Sequence, residues 1–258
     1  MTEITRRTFI AAAGVSALAV ACSDDSDEGA GADPATTTPS TADSTTSTAP
    51  TTSGANDAPV SFTAADFAAL GTCVLFPEAT AGPFPTIEQI YRRDVTEGYA
   101  GHPVRLGMRA IDGDCNPIPG ADVEIWHTDA TGDYSSYEDG GTGKDEGAGT
   151  TFLRGAQIAN DDGIVEFATN YPGWYPGRAV HIHLRVRVDG DLVLTGQVYF
   201  DDDYTAQVFA EGAYAEFGLP DTPLSRDFGS DDAANGALLA LTPTDAGTTA
   251  LINIGVPV

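Results

Sequence analysis

From Val180 to Val188 the chain alternates strictly between apolar and polar residues: Val180-His181-Ile182-His183-Leu184-Arg185-Val186-Arg187-Val188. Side chains of a β-strand point alternately to opposite faces, so one face of this segment is aliphatic and the other carries two histidines and two arginines. Asp189-Gly190 follows, and then a second strand-like run, Asp191 to Phe200. Asp-Gly between two such runs is a strong signal for a two-residue hairpin turn. Val104 to Ile111, Asp122 to His127, Gly163 to Thr169, Ala237 to Leu241 and Thr249 to Ile254 also read as strands bounded by turn residues. Ser61 to Leu70 reads as a short capped helix and Thr205 to Phe217 as a second one. No internal repeat is present. The expected fold is all-β, a sandwich with one or two short helices.

Ahead of this region the texture is different. Thr5-Arg6-Arg7-Thr8-Phe9-Ile10 is a twin-arginine pattern, and the apolar run that follows ends in Leu18-Ala19-Val20-Ala21-Cys22. That run is too short to span a bilayer. Residues 1–22 are therefore expected to be a Tat signal peptide closing on a lipobox, with Cys22 lipidated and the protein exported to the cell surface or periplasm. Residues 23–60 are mostly Ser, Thr, Asp, Ala and Pro, with seven acids and no base. Without apolar periodicity nothing offsets the entropy of ordering, and a disordered tether is expected. Residues 61–258 then form the folded domain. Cys73 and Cys115 are left as an even pair. In an oxidising compartment a disulfide is the expectation, two buried thiols or a soft metal site being the alternatives. The formal net charge is −26, from 38 acids against 12 bases. A surface of that sign repels phosphate backbones and anionic lipid, which excludes nucleic acid as a partner and leaves the lipid anchor as the membrane contact.

Two histidines on one strand face can reach a single metal, but alone they read more readily as part of a solvated polar face. Their surroundings add to the pattern. Tyr171-Pro172-Gly173-Trp174-Tyr175-Pro176-Gly177-Arg178 is a Pro/Gly-rich loop that presents Tyr175 and Arg178 beside the histidine strand. Upstream, the strand ending at His127 runs into Gly132-Asp133-Tyr134, placing a second tyrosine at a strand-to-loop transition. Two phenolates with two imidazoles suit a hard ferric ion. His127 is expected to be structural, His102 a loop residue, Trp126 and Trp174 core or pocket wall, Asp161-Asp162-Gly163 a turn, and Asp201 to Asp203 a solvated acidic turn.

The strings DVEIWHTDATGDYS, TFLRGAQIANDDGIVEFATNYPGWYPGRAVHIH and TGQVYF, in this order, resemble the successive signatures of the intradiol ring-cleavage dioxygenases. CVLFPEATAGPF resembles that family's N-terminal segment, with Phe84 where a tyrosine is frequent. The resemblance runs from about Cys73 to Phe200. It implies a non-haem Fe(III) cofactor held by Tyr134, Tyr175, His181 and His183, with Tyr175 leaving the iron and accepting a proton when substrate arrives. It implies that Arg178 stabilises negative charge on the ring and that Gln197 orients an oxygen-derived ligand. The implied reaction is O2-dependent opening of a catechol-type diol to a cis,cis-muconate-type diacid. The implied partners are a small aromatic diol and O2, and an oligomer is compatible with the chain. Loops around 74–91 and 134–150 are expected to read the ring substituents.

Two other readings use the same residues. A non-catalytic β-sandwich binding module at the cell surface would share the architecture, because fold alone does not fix function. A copper or zinc hydrolase would draw on His127, His181 and His183.

Overall fold

The computed structural model describes residues 61–71, 73–142 and 147–258. The signal peptide and tether expected over residues 1–60 lie outside the described residues. Two four-stranded sheets face each other. The first has the order β4-β1-β8-β7, from β1 (Pro103–Ile111), β4 (Ile164–Asn170), β7 (Ala240–Thr244) and β8 (Gly247–Gly255). The second has the order β3-β2-β5-β6, from β2 (Asp122–Trp126), β3 (Arg154–Ile158), β5 (His181–Val188) and β6 (Asp191–Tyr199). All ladders are antiparallel except β1 with β8, which is parallel. This is the all-β sandwich of mixed strands read from the sequence, and among the described residues no helix is long and apolar enough to cross a membrane.

Alternation on each strand builds the core. Leu106 and Met108 of β1 stand beside Phe167 and Val165 of β4 and Ala250 and Ile252 of β8. Facing them are Val123 and Ile125 of β2 with Val186 and Leu184 of β5, and Ile182 paired with Val198. All of these are buried, and they form one apolar cluster between the sheets. Burying a side chain of this size stabilises by about 1.5–3 kcal/mol. The β5–β6 hairpin closes through Asp189 (φ 53°) and Gly190 (φ 89°), the two positive φ values that a tight turn matched to strand twist requires.

The first helix, α1 (Ala64–Phe67), is shorter than expected; Thr63 and Asp66 form a capping box at its start. It lays Phe67, with Phe62, against Ile164 on the outer face of the first sheet. The second helix, α2, covers Asp202–Val208, and a separate 3-10 turn follows at Gly212–Tyr214. Asp201 to Asp203 are exposed as expected, but they open a helix instead of forming a turn. Asp201 caps α2 by accepting from the Tyr204 amide, and the other two acids sit in its first turn, where the helix dipole favours negative charge. The last hairpin begins later than expected, at Ala240, because Ala233–Ala237 is an irregular helical turn with Gly236 at φ 110°. Strand β3 is an addition; its sequence RGAQI shows no clean alternation, since three of its residues are buried in a row.

Cys73 and Cys115, 42 positions apart in sequence, are joined as a disulfide with Cα atoms 5.2 Å apart. The bridge ties the segment entering the domain to the turn after β1. Its loss is expected to cost about 2–4 kcal/mol by releasing the unfolded chain. Intact mass with and without reductant, and denaturant unfolding of Cys73→Ser/Cys115→Ser, measure both statements.

Glu166 of β4 gathers Arg93, Arg105 and the Ser61 amide around one buried carboxylate. Burial opposes its ionisation, but the hydrogen bonds from Arg105, Ser61 and Arg93 outweigh that and hold it down at about 2. A carboxyl depressed on folding contributes stability above its unfolded value near 4.5 and loses it as pH falls toward about 2. Urea unfolding between pH 5 and 2 is therefore expected to show a shallower acid loss in Glu166→Gln than in the native protein, from a lower starting stability at pH 7 (about those limits, set by the two values).

Candidate metal centre

The outer face of the second sheet, not the core, carries the polar side chains of β5. Register aligns one row across all four strands: Arg154 of β3, Trp126 of β2, His183 of β5 and Gln197 of β6. One step along, His181 pairs with Tyr199. Loops cover this face, so both histidines are buried, at 3% and 1% exposure. The Trp126 indole stacks on the His183 imidazole, centroids 5.0 Å apart and planes 4° from parallel. The backbone at Gly82 passes over the same imidazole.

Two interlocked loops bring in the tyrosines. After β2, Asp129 Oδ1 accepts from the amides of Thr131 and Asp133, folding residues 129–133 into a tight turn. The Tyr134 amide then donates to Gly140 O at 2.6 Å. The loop after β4 docks on this turn. The Gly173 amide donates to Asp129 O (2.8 Å) and the Thr128 hydroxyl to Gly173 O (2.9 Å). Tyr134 lies eight residues past the end of β2, deeper in the loop than a strand terminus, and is fully buried against Phe84 (centroids 4.8 Å). Tyr175 is half-buried. Arg154 braces the arrangement from below, donating to Ser135 Oγ, Ser135 O and Phe84 O.

The four side chains meet at His181 Nε2. Tyr134 Oη lies 3.4 Å from it, Tyr175 Oη 3.3 Å and His183 Nε2 3.2 Å. His181 Nδ1 donates to Ala179 O at 2.7 Å; a carbonyl only accepts, so in the neutral ring Nε2 is a bare lone pair. Burial, then Arg178, holds His181 down at about 3, so the ring is neutral. Burial and the neighbouring His181 push His183 well below the usual imidazole range. Burial drives the Tyr134 phenol well up and Tyr175 upward despite Arg178. The Nε2 atoms of both imidazoles and the two phenol oxygens thus face one point. Separations of this size are what donors about 2 Å from a common cation adopt. The donor set thus fits a hard cation, which would draw the protons off both phenols.

Arg178 lies beside this point, its Nη1 3.3 Å from both Tyr175 Oη and His181 Nε2. Its Nη2 donates to Gln197 Oε1 (2.6 Å), and the Gln197 amide nitrogen donates to Thr80 O (2.8 Å). The six residues singled out in the sequence are therefore brought together. His127 is kept apart from them. Its Nδ1 donates to Thr128 O and its Nε2 accepts from the Thr169 hydroxyl, both at 2.7 Å, so no lone pair is left for a metal. Among the described residues no group of three or more His, Cys, Asp or Glu could hold an ion. This removes the geometry that a His127-based copper or zinc site requires. The segment 143–146, part of the expected substrate loop, lies outside the described residues.

Sequence reasoning missed Asp227, which accepts from Arg178 Nε (2.9 Å), and Arg154, whose bonds support Tyr134. Asp227 sits in LSRDFGSDD among other acids, with no periodicity to mark it. Arg154 had a usable signal: a cation directly after Phe152-Leu153 in an apolar run.

A family model described as dioxygenase matches residues 85–219, more than half of the chain. An intradiol ring-cleavage dioxygenase from Tetranychus urticae superposes with a TM-score of 0.66 at 29% identity, covering 72% of this chain and 95% of that one. The chain belongs to the intradiol ring-cleavage dioxygenase family. Among curated members, catechol 1,2-dioxygenase of Acinetobacter baylyi is 30% identical over 165 residues, 57% of this chain and 53% of that one. Chlorocatechol 1,2-dioxygenase of Rhodococcus opacus is 28% identical over 135 residues, 40% and 50% of the two chains. The chain spans about half the length of these curated relatives. For this family member the four donors and Arg178 all come from β5 and the two loops, inside the matched residues.

Gly132 tests how tightly those loops must close. It has φ +89°, and a Cβ there would strike the carbonyl oxygen of Trp174, next to Tyr175. Gly132→Ala is expected to destabilise the protein by at least about 1–3 kcal/mol from backbone strain alone. It is also expected to weaken retention of any cation held there by parting Tyr134 from Tyr175; unchanged metal content after dialysis against a chelator would contradict this.

Proposed function

We propose that this protein is a non-haem Fe(III)-dependent dioxygenase that opens a catechol-type diol with O2, between its two hydroxylated carbons, to a cis,cis-muconate-type diacid. The observation that carries the reading is the convergence of Tyr134, Tyr175 and His183 on the bare Nε2 of His181. Those four residues would hold the iron. When bound, the ferric ion would supply chelation of both catechol oxygens and activation of the ring toward O2.

The rest of the task falls to the chain. Tyr134 is fully buried under Phe84 and its amide is held by Gly140 O, which suits a permanent ligand. Tyr175 is half-buried in a loop with Pro172, Gly173, Pro176 and Gly177, which suits a side chain that swings away. Burial raises its phenol, so a tyrosinate freed from the cation is a competent base for a catechol proton. Arg178, fixed beside Tyr175 Oη, stabilises negative charge that develops on the ring. Gln197 stands next to His183 in the cross-strand row and orients Arg178, and with the metal bound it would also be placed to orient oxygen there. The Arg178 charge is matched by Asp227, which favours a ring without a carboxylate over one that brings its own anion. Export as a lipoprotein belongs to the same proposal; its support is the twin-arginine pattern and Leu18 to Cys22.

Purified protein loaded with iron is expected to be red-brown from tyrosinate-to-iron charge transfer, and to consume catechol and O2 in equal amounts. A colourless protein without turnover would return it to the class of binding modules. Tyr175→Phe is expected to keep iron with altered colour and to chelate catechol more slowly; Tyr134→Phe is expected to lose iron. Arg178→Ala is expected to retain iron and colour while kcat drops by about 10²–10³, the usual cost of removing a preorganised charge stabiliser.

A further inference from the structure

Arg178 has been given a directional task, and a guanidinium on a long side chain does not keep direction unaided. Its nitrogens are distributed among four partners, Asp227, Gln197, Tyr175 and His181. Nε donates to Asp227 Oδ2 at 2.9 Å, and Nη2 lies 2.6 Å from Gln197 Oε1 and 3.4 Å from Asp227 Oδ1. Only Nη1 is directed at Tyr175 Oη and His181 Nε2. Asp227 is itself immobilised. The amides of Ala179 (2.7 Å) and Gly229 (2.8 Å) donate to its two carboxylate oxygens, and its side chain is fully buried. Phe228 lies over the same guanidinium, 4.0 Å from its carbon, closing the side that the carboxylate leaves free. Tyr199, the cross-strand partner of His181, donates to Gln197 Oε1 at 3.0 Å and packs against Gly229.

We propose that Asp227 is a positioning residue for the reaction: it clamps Arg178 so that a single Nη1 edge faces the donor cluster. Asp227 lies beyond residue 219, where the family match ends, so a segment outside the matched region completes the site. Without the carboxylate, Arg178 keeps only Gln197 as a fixed acceptor, and its fork is free to turn edge-on to the donors or toward solvent. The charge would remain while its aim was lost. A carboxylate bonded to the outer edge of a working group is a common device for holding it, and removing one typically costs 10–100-fold, about the range expected here. The inference rests on the functional reading above in taking Arg178 as the charge stabiliser.

The test compares iron-loaded native protein with Asp227→Asn, Asp227→Glu, Arg178→Ala and the double variant Asp227→Asn/Arg178→Ala, using catechol as substrate. Asp227→Asn is expected to keep iron and charge-transfer colour and to lose about 10–100-fold in kcat with KM nearly unchanged. Asp227→Glu, which retains the charge, is expected to recover part of that loss. The double variant is expected to be no slower than Arg178→Ala, because an unaimed residue that is already absent loses nothing more. A purely structural Asp227 would give losses that multiply, and that result, or near-native kcat in Asp227→Asn, overturns the proposal. A crystal structure of the iron-loaded native protein with a non-reactive catechol analogue supplies a readout that needs neither variant folding nor turnover. Arg178 Nε must remain bonded to Asp227 there; a guanidinium that has left the carboxylate sinks the clamp. Absence of catechol turnover in the native protein would instead refute the functional reading, leaving the crystallographic answer about the clamp intact.

Discussion

Strand β5 is hydrogen-bonded on both edges, to β2 and to β6, and buried on both faces. Its register therefore decides two things together. Ile182, Leu184 and Val186 enter the core because their neighbours on β2 and β6 point the same way, and His181 and His183 are thereby delivered to the opposite face. Because the side-chain period is two, slipping by one residue would put imidazoles in the core and aliphatics under the loops. The hairpin at Asp189-Gly190 fixes that register from one end, and the disulfide and the Glu166 cluster secure other parts of the sandwich.

Electrostatics on the outer face depend on burial. Both imidazoles are held neutral and both phenols protonated by the same exclusion of water. A site with neutral donors and a buried guanidinium has no favourable place for a weakly charged ion, and gains most from one able to displace phenolic protons. Arg178 is tolerated there because Asp227 is too, the pair being linked at 2.9 Å; an unpaired buried charge of either kind would cost several kcal/mol, on the order of 3–5. Fixing a charge and paying for its burial are here done by one carboxylate.

Most of the sandwich was legible in the sequence because it is written in period-two alternation, which the β5–β6 hairpin shows in its clearest form. The exceptions have physical causes. Strand β3 hides because Arg154, Gly155 and Ala156 are buried together and do not alternate. The last hairpin starts at Ala240 and not at Ala237, because the backbone bends at Gly236 just ahead of it. The donors stood out as residue types in a motif; the groups that hold them did not. Asp227 works through distance in space, 49 residues after Arg178, and one aspartate among many acids carries no local mark. His127 shows the reverse, a histidine in a suggestive place whose two nitrogens are taken by the Thr128 carbonyl and the Thr169 hydroxyl.

The donor atoms come from two kinds of backbone. The imidazoles belong to a central strand that cannot move without unfolding the sandwich, whereas the phenols belong to loops docked on each other by the Gly173 amide on Asp129 O and the Thr128 hydroxyl on Gly173 O. Heredity acts on these two halves differently. Insertions near Tyr175 or beyond Tyr134 reshape the rim while the histidine pair stays in place, and changes within β5 are purged as folding defects before their effect on chemistry is ever exposed to selection. A lineage built on this frame is thus free to diversify what it admits to the site and is bound to conserve what awaits there.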